Sequence, residues 1–179
     1  MHLVRMMNKL IYLLVSSSIA ISCLSDTVES KLTISADDSA AIHEVVINAR
    51  KAIVNENPKV LLKYISVENG LNCTDTNYNF AEIKKFISNK DSYLYIGLYS
   101  TEKYSAKCGN EYSKVSDKEY FSSVSDIFTI QIDEPDWVTI YFASSKVKGH
   151  YPRVWALHKE NGSWKILGGS FLIGNCTCE

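Results

Sequence analysis

The chain has 179 residues, 46% of them hydrophobic, with 19 Lys and Arg against 20 Asp and Glu. This near-neutral balance, with lysines scattered and Lys84-Lys85 the longest basic run, excludes a nucleic-acid binder on charge, because phosphate recognition needs clustered cations. The length suits one domain with a substantial core and is short for two.

In chain order, Arg5 and Lys9 form a basic start, and "LIYLLVSSSIAIS" from Leu10 to Ser22 is an uncharged, mostly apolar run that stops at Cys23. The run is shorter than the about 20 apolar residues that cross a bilayer. It therefore reads as a signal peptide over residues 1–22, and the chain is expected to be exported. Ala20-Ile21-Ser22-Cys23 resembles the lipobox of bacterial lipoproteins. The resemblance implies cleavage before Cys23 and its acylation with palmitate-type chains, a stable membrane anchor. Leu24 stands where an aspartate would signal inner-membrane retention, so the implied place is the cell envelope, lipid-anchored and facing the periplasm. The alternative is ordinary cleavage near Ser22 or Ser25 and a soluble secreted protein. Without Arg5 and Lys9 the mature part carries 17 basic against 20 acidic residues, a net of −3. Arginine is then reduced to Arg50 and Arg153.

Assigning Cys23 to lipid leaves Cys73, Cys108, Cys176 and Cys178. In an oxidising compartment these four are disulfide candidates, with three connectivities open. Cys176 and Cys178 point to the same face of an extended chain, and a bond between them closes a tight ring. Pairing each with Cys73 or Cys108 is the easier geometry. A Cys-x-Cys soft-metal site is the competing reading, but no histidine lies near it in sequence, and no metal or other cofactor is expected.

Residues 23–36 are polar beyond the cysteine and read as a tether, which leaves 37–179 as a single domain. A helix is expected from Asp37-Asp38, whose carboxylates suit a helix N-terminus. Ile42, Val46, Ala49 and Ile53 follow at 4-3-4 spacing as its buried stripe. Asn57-Pro58 predicts a cap and first turn for a short second helix, "PKVLLKYIS". Asn79 with Glu82 predicts a capping box for a third, "NFAEIKKFIS". From Ser92 the alternation of Leu94, Ile96 and Leu98 with Tyr93, Tyr95 and Tyr99 predicts a strand. Ser116-Asp117-Lys118-Glu119 is a second capping box and predicts a short helix through Val124. "IFTIQI", "DWVTIYFASSKV", "RVWALHKE" and "SWKILGGSFLI" are further strands, the last two joined at Asn161-Gly162, whose residues accept the positive φ of a type I′ turn. Helices followed by an antiparallel sheet make the fold class α+β.

A long first helix, short helices and a closing hairpin "VWALHKENGSWKILGG" resemble the NTF2-like (cystatin-like α+β) superfamily. The likeness spans about residues 38–172 and matches best at Trp155, Gly162, Trp164 and Ile166. It implies helices packed on a curved antiparallel sheet around a cone-shaped pocket. The stretch "EKYSAKCGNEYSKVSDKEYFSS" departs from it as an insertion.

No His-Glu-x-x-His, Gly-x-Ser-x-Gly or phosphate-binding glycine loop is present. "GGSFLIG" has the wrong spacing for a nucleophile elbow, and its glycines suit a strand bend. NTF2-like pocket enzymes pair Asp, His or Tyr as acid and base, and His43, Asp91 and Tyr95 are the residues to compare with that pattern. Each also reads simply as a helix-face, strand-start or sheet-face residue. His150 falls in a loop and His158 in a strand. Asp133, Glu134 and Asp136 around Pro135 lack the ligand spacing of a calcium loop and read as a turn.

The favoured expectation is a non-catalytic envelope lipoprotein that binds a protein partner or small ligand through its sheet face or pocket. An immunity-type inhibitor of an exported toxin is a subtype that the superfamily resemblance suggests. Tyr93, Tyr95, Tyr99 and Trp155 are the candidate contact residues, because aromatic side chains dominate binding surfaces. The alternative is a pocket hydrolase or isomerase of the same architecture.

Overall fold

The computed structural model describes residues 32–72, 77–108, 115–123, 128–142 and 153–169, apart from the side chains of residues 107, 108 and 169. The chain divides into Met1–Lys31 and Leu32–Glu179, and every described residue belongs to the second unit. The expected signal peptide, Cys23, most of the expected tether, Cys73, Cys176, Cys178 and the Cys108 side chain therefore lie outside the described residues.

Helix α1, Ala36–Val54, opens where the Ser35 hydroxyl accepts from the Asp38 amide at 3.0 Å. Asp37 and Asp38 occupy its first turn, where carboxylates complement the unpaired amides and the dipole. Ile42, Val46, Ala49 and Ile53 are all fully buried, as their spacing requires, and Val45 and Ala52 widen the stripe. Helix α2, Pro58–Leu61, is a single turn capped by Asn57. Helix α3, Phe80–Phe86, carries the full capping box. The Asn79 side chain accepts from the Glu82 amide and the Glu82 carboxylate accepts from the Asn79 amide, each at 3.0 Å.

The expected strand at 92–100 is corrected: Tyr93–Tyr99 is helix α4. The Ser92 hydroxyl caps it by accepting from the Tyr95 amide at 3.1 Å. Leu94, Ile96, Gly97, Leu98 and Tyr99 are all buried. A helix covered nearly all round has no polar face, so its side-chain pattern does not betray its period. The supposed insertion after it contains helix α5, Thr101–Cys108. Helix α6, Asp117–Ser123, follows Ser116, whose hydroxyl accepts from the Glu119 amide at 3.3 Å. The second half of that capping box is diverted, because Glu119 accepts from the Thr101 hydroxyl at 2.6 Å instead.

Strands β1 (Leu71–Asn72), β2 (Asn77–Tyr78), β3 (Phe128–Glu134), β4 (Trp137–Phe142), β5 (Val154–Glu160) and β6 (Ser163–Gly169) form one sheet in the order β2-β1-β6-β5-β4-β3. The α+β class stands, with one correction to the all-antiparallel expectation. Strand β1 runs parallel to β6 at Asn72↔Gly168, which makes the sheet mixed. Asn161 (φ 49°) and Gly162 (φ 79°) turn β5 into β6 with Glu160 opposite Ser163. Helices α1, α2, α3, α4 and α6 and the buried strand residues Val138, Ile140, Phe142, Trp155, Leu157, Trp164 and Ile166 share one core.

Candidate functional site

The C-terminal half of α1 is a ridge between two open grooves. The buried stripe occupies one side of the helix, which leaves Asn48, Lys51 and Asn55 on the other at 3-4 spacing. On one flank these three, with Asn57, Val60 and Tyr64, line a groove of about 310 Å³ against α2. On the other, a groove of about 350 Å³ against α6 is lined by Ile47, Arg50, Lys51, Val54, Asn55, Phe121 and Ser122. Lys51 and Asn55 belong to both. Asn57 spends its side-chain oxygen capping α2, on the Val60 amide at 3.1 Å. Arg50 is 6% exposed, and its guanidinium carbon lies 5.5 Å from the Phe121 ring centre and 5.9 Å from that of Phe142. A guanidinium on aromatic faces keeps its charge while buried.

Helix α6 also carries part of a polar cluster. Asp117, with 0% exposure, accepts at one oxygen from Arg153 Nε at 2.9 Å. Arg153 Nη2 also donates to the Val115 carbonyl at 3.0 Å. The Tyr120 hydroxyl accepts from the Arg153 amide and donates to the Phe142 carbonyl, at 3.2 and 3.1 Å. Burial pushes the Asp117 carboxyl up to about 7, against the pull of the Arg153 guanidinium. Burial likewise pushes the Tyr99 hydroxyl up, helped by the negative potential of Tyr95, Glu56 and Asp117.

The four expected contact residues are divided by the fold. Tyr93 and Tyr95 are half-buried on α4. Tyr99 is 7% exposed and packs edge-on against Tyr95 with ring centres 4.8 Å apart. Trp155 has 0% exposure and packs on Phe142 and Phe121 at 4.7 and 5.2 Å, so in this fold it is a core residue. On the sheet, Trp137, Thr139 and Tyr141 of β4 stand opposite His158, Ala156 and Val154 of β5. These alternate with the buried strand residues, and Tyr141 is 37% exposed.

The residues compared with a catalytic pocket have separate neighbours. His43 Nδ1 lies 2.8 Å from the Ser39 carbonyl and its ring packs on Phe128. Asp91 takes the Lys103 ammonium at 3.3 Å, and Tyr95 lies against Tyr99. His158 Nε2 is 3.5 Å from Asp136, beside the Trp137 ring, while His150 is outside the described residues. Asp133 accepts from Gln131 and Thr139 at 2.7 and 2.6 Å within the β3–β4 hairpin. Among the described residues no His, Cys, Asp and Glu group has metal-holding geometry. No described helix is long and apolar enough to cross a membrane.

The ridge residues Asn48, Lys51 and Asn55 went unremarked in sequence, although their spacing opposite the buried stripe was a usable signal. So was the scarcity of arginine, which singles out Arg50 and Arg153.

No family model matches the chain, and no curated protein matches it. Among solved structures, it is similar to a protein of unknown function with a cystatin-like fold from Nostoc punctiforme. The identity is 12% over 77% of this chain and 92% of that one, with a TM-score of 0.40. It is also similar to a putative calcium/calmodulin dependent protein kinase II association domain from Xanthomonas campestris, 12% identical over 78% of this chain and 90% of that one, with a TM-score of 0.37. Neither likeness bears on function.

Proposed function

We propose that this chain is an exported, lipid-anchored binding domain that holds a protein partner on the α1 ridge, with no chemistry of its own. The observation that carries the reading is the pair of grooves meeting at Lys51 and Asn55. At about 310 and 350 Å³ each lies at the low end of small-molecule pockets, which run from about 300 to 1,000 Å³ and enclose most of their ligand. Open grooves on both flanks of a helix suit a polypeptide that straddles it, one side chain to each flank. The resemblance of Ala20-Ile21-Ser22-Cys23 to a lipobox supports the anchor, and immunity-type inhibition of an exported toxin is one form such binding takes. The buried Asp117 commits one oxygen to Arg153, which supports a structural ion pair over a catalytic acid.

The test places a photo-cross-linking amino acid at Asn55 or, as a control, at exposed Lys84 of α3, in the full chain produced in its host. A single defined protein joined at Asn55 and absent at Lys84, whose purified form binds the chain and binds it at least tenfold more weakly after Asn55→Trp, is the expected result. Equal labelling at both positions, or undiminished binding by Asn55→Trp, overturns the reading. Intact mass of chain purified from membranes checks the anchor. Acyl chains are expected on an N-terminal Cys23, and an unmodified Cys23 or cleavage beyond it makes the protein soluble and secreted.

A further inference from the structure

The triplet Glu-Asn-Gly occurs at 68–70 and again at 160–162, and the fold brings the two copies together. The Asn161 carboxamide donates to Glu68 at 2.8 Å, and the Asn69 carboxamide donates to Glu160 at 3.1 Å. Each glutamate thus holds the asparagine of the other triplet. Asparagine is a labile side chain, and most so before glycine, where no Cβ obstructs attack of the next backbone nitrogen on the side-chain carbonyl.

The two copies differ in their surroundings. The Asn69 amide donates to the Ser66 hydroxyl at 2.8 Å, and that hydroxyl donates in turn to buried Glu160. Gly70 is buried, and a Cβ on it would fall 1.9 Å from the Tyr78 carbonyl oxygen, so its backbone has no room to turn. Asn161 and Gly162 are exposed at the tip of the β5–β6 hairpin, and a Cβ on Gly162 would meet no described atom within 4 Å. Positive φ at both residues, 49° and 79°, makes this turn type I′. Closing a ring between the Asn161 side chain and the Gly162 nitrogen eclipses Cβ with that nitrogen about the Cα–C bond. For an L residue this sets ψ at about −120°, the first central residue of a type II′ turn. Types I′ and II′ both join hairpin strands, and they differ by a flip of the peptide between the two central residues, which glycine at the second permits.

We propose that Asn161 is a modification site, at which the folded chain converts its carboxamide to a carboxylate through a ring closed on Gly162, and that Glu68 restrains the reaction. The Gly162 nitrogen gives up its proton to solvent and bonds to Asn161 Cγ. The Cγ–Nδ2 bond breaks, and Nδ2 leaves as ammonia. One water then opens the ring. Cleavage of the new Cγ–N bond leaves aspartate, and cleavage at the backbone carbonyl leaves isoaspartate, with the chain running through Cγ. Attack within one residue depends on the fraction of time spent in the reacting geometry. Glu68 lowers that fraction by fixing the carboxamide in the type I′ turn. The product replaces its hydrogen bond to Glu68 with two facing carboxylates, and isoaspartate adds a methylene to the backbone of a two-residue turn.

The full chain is held at mildly alkaline pH, folded or in urea, and digested after lysine. The fragment 160–165, between Lys159 and Lys165, and the fragment carrying Asn69 are followed by mass, with isoaspartate located by fragmentation. In urea both triplets are expected to gain one dalton at matching rates. In the folded chain Asn161 is expected to convert at least tenfold faster than Asn69, with isoaspartate among its products. Gly162→Ala is expected to slow Asn161 at least tenfold, and Glu68→Ala to speed it at least threefold. No conversion at Asn161 in the folded chain, or equal folded rates at Asn69 and Asn161, which mark reaction through global unfolding, overturns the site. An unchanged rate in Gly162→Ala overturns the ring-closing route, and an unchanged rate in Glu68→Ala overturns the restraint.

Discussion

The indole N–H of Trp164 donates to Asp38 at 2.9 Å across 126 residues of sequence. The same carboxylate oxygen takes the Lys159 ammonium at 2.6 Å, and the Ser35 hydroxyl donates to the other oxygen at 2.9 Å. One side chain thus joins the first turn of α1 to both strands of the β5–β6 hairpin, next to the turn that reverses the chain. Because the long helix and the hairpin are each locally specified, Asp38 acts on how they are docked.

The Lys159 ammonium, then the Trp164 indole and the Ser35 hydroxyl, hold the Asp38 carboxyl down at about 2, below its ordinary 3.8. A depressed pKa contributes stability above the unfolded value, and that contribution is lost as pH falls from about 4 towards 2. Asp38→Asn is therefore expected to be less stable than the parent at neutral pH and to show a shallower acid loss. Urea midpoints across pH 2–5 measure both.

Asp117 has the opposite linkage. Its folded pKa of about 7 exceeds the ordinary 3.8, so its contribution is fully present below about pH 4 and is lost as pH rises through 7. Asp117→Asn still offers Arg153 an acceptor and is expected to flatten this slope. Asp117→Ala leaves the buried Arg153 Nε–H without its acceptor and is expected to be less stable than Asp117→Asn at both pH values. Denaturant titrations at pH 5 and 8 separate the variants, and an unchanged slope in Asp117→Asn would remove this carboxyl as its source.

Gly70 and Gly162 both hold positive φ, 69° and 79°, yet their substitutions should differ. A Cβ on Gly162 meets nothing within 4 Å, so Gly162→Ala meets only the conformational penalty, about 1 kcal/mol. That corresponds to roughly 2–4 °C in Tm for a domain of this size. A Cβ on Gly70 falls 1.9 Å from the Tyr78 carbonyl oxygen, a backbone atom that moves only if the β1–β2 pairing opens. Gly70→Ala is expected to lower Tm at least twice as far and to speed amide exchange at Leu71 and Tyr78, where Gly162→Ala leaves exchange unchanged.

What the sequence determined by itself is what neighbouring residues settle among themselves. The Asn57 cap, the Asn79–Glu82 box, the Asn161-Gly162 turn and the buried stripe of α1 each depend on groups within one or two helical turns or across one tight hairpin. All of them occur where their spacing places them. Tertiary structure decided the rest. Whether Tyr93–Tyr99 alternates as a strand or winds as a helix depended on its burial on nearly all sides, which erases the polar face that marks a period. The parallel pairing of β1 with β6 at Asn72↔Gly168 and the Asp117–Arg153 contact 36 residues apart join segments whose mutual attraction has no local signature. The α1 grooves have the same origin. Asn48, Lys51 and Asn55 are ordinary exposed helix residues until α2 and α6 settle on either side, and only the packed chain turns that helix face into a surface with a shape and a charge.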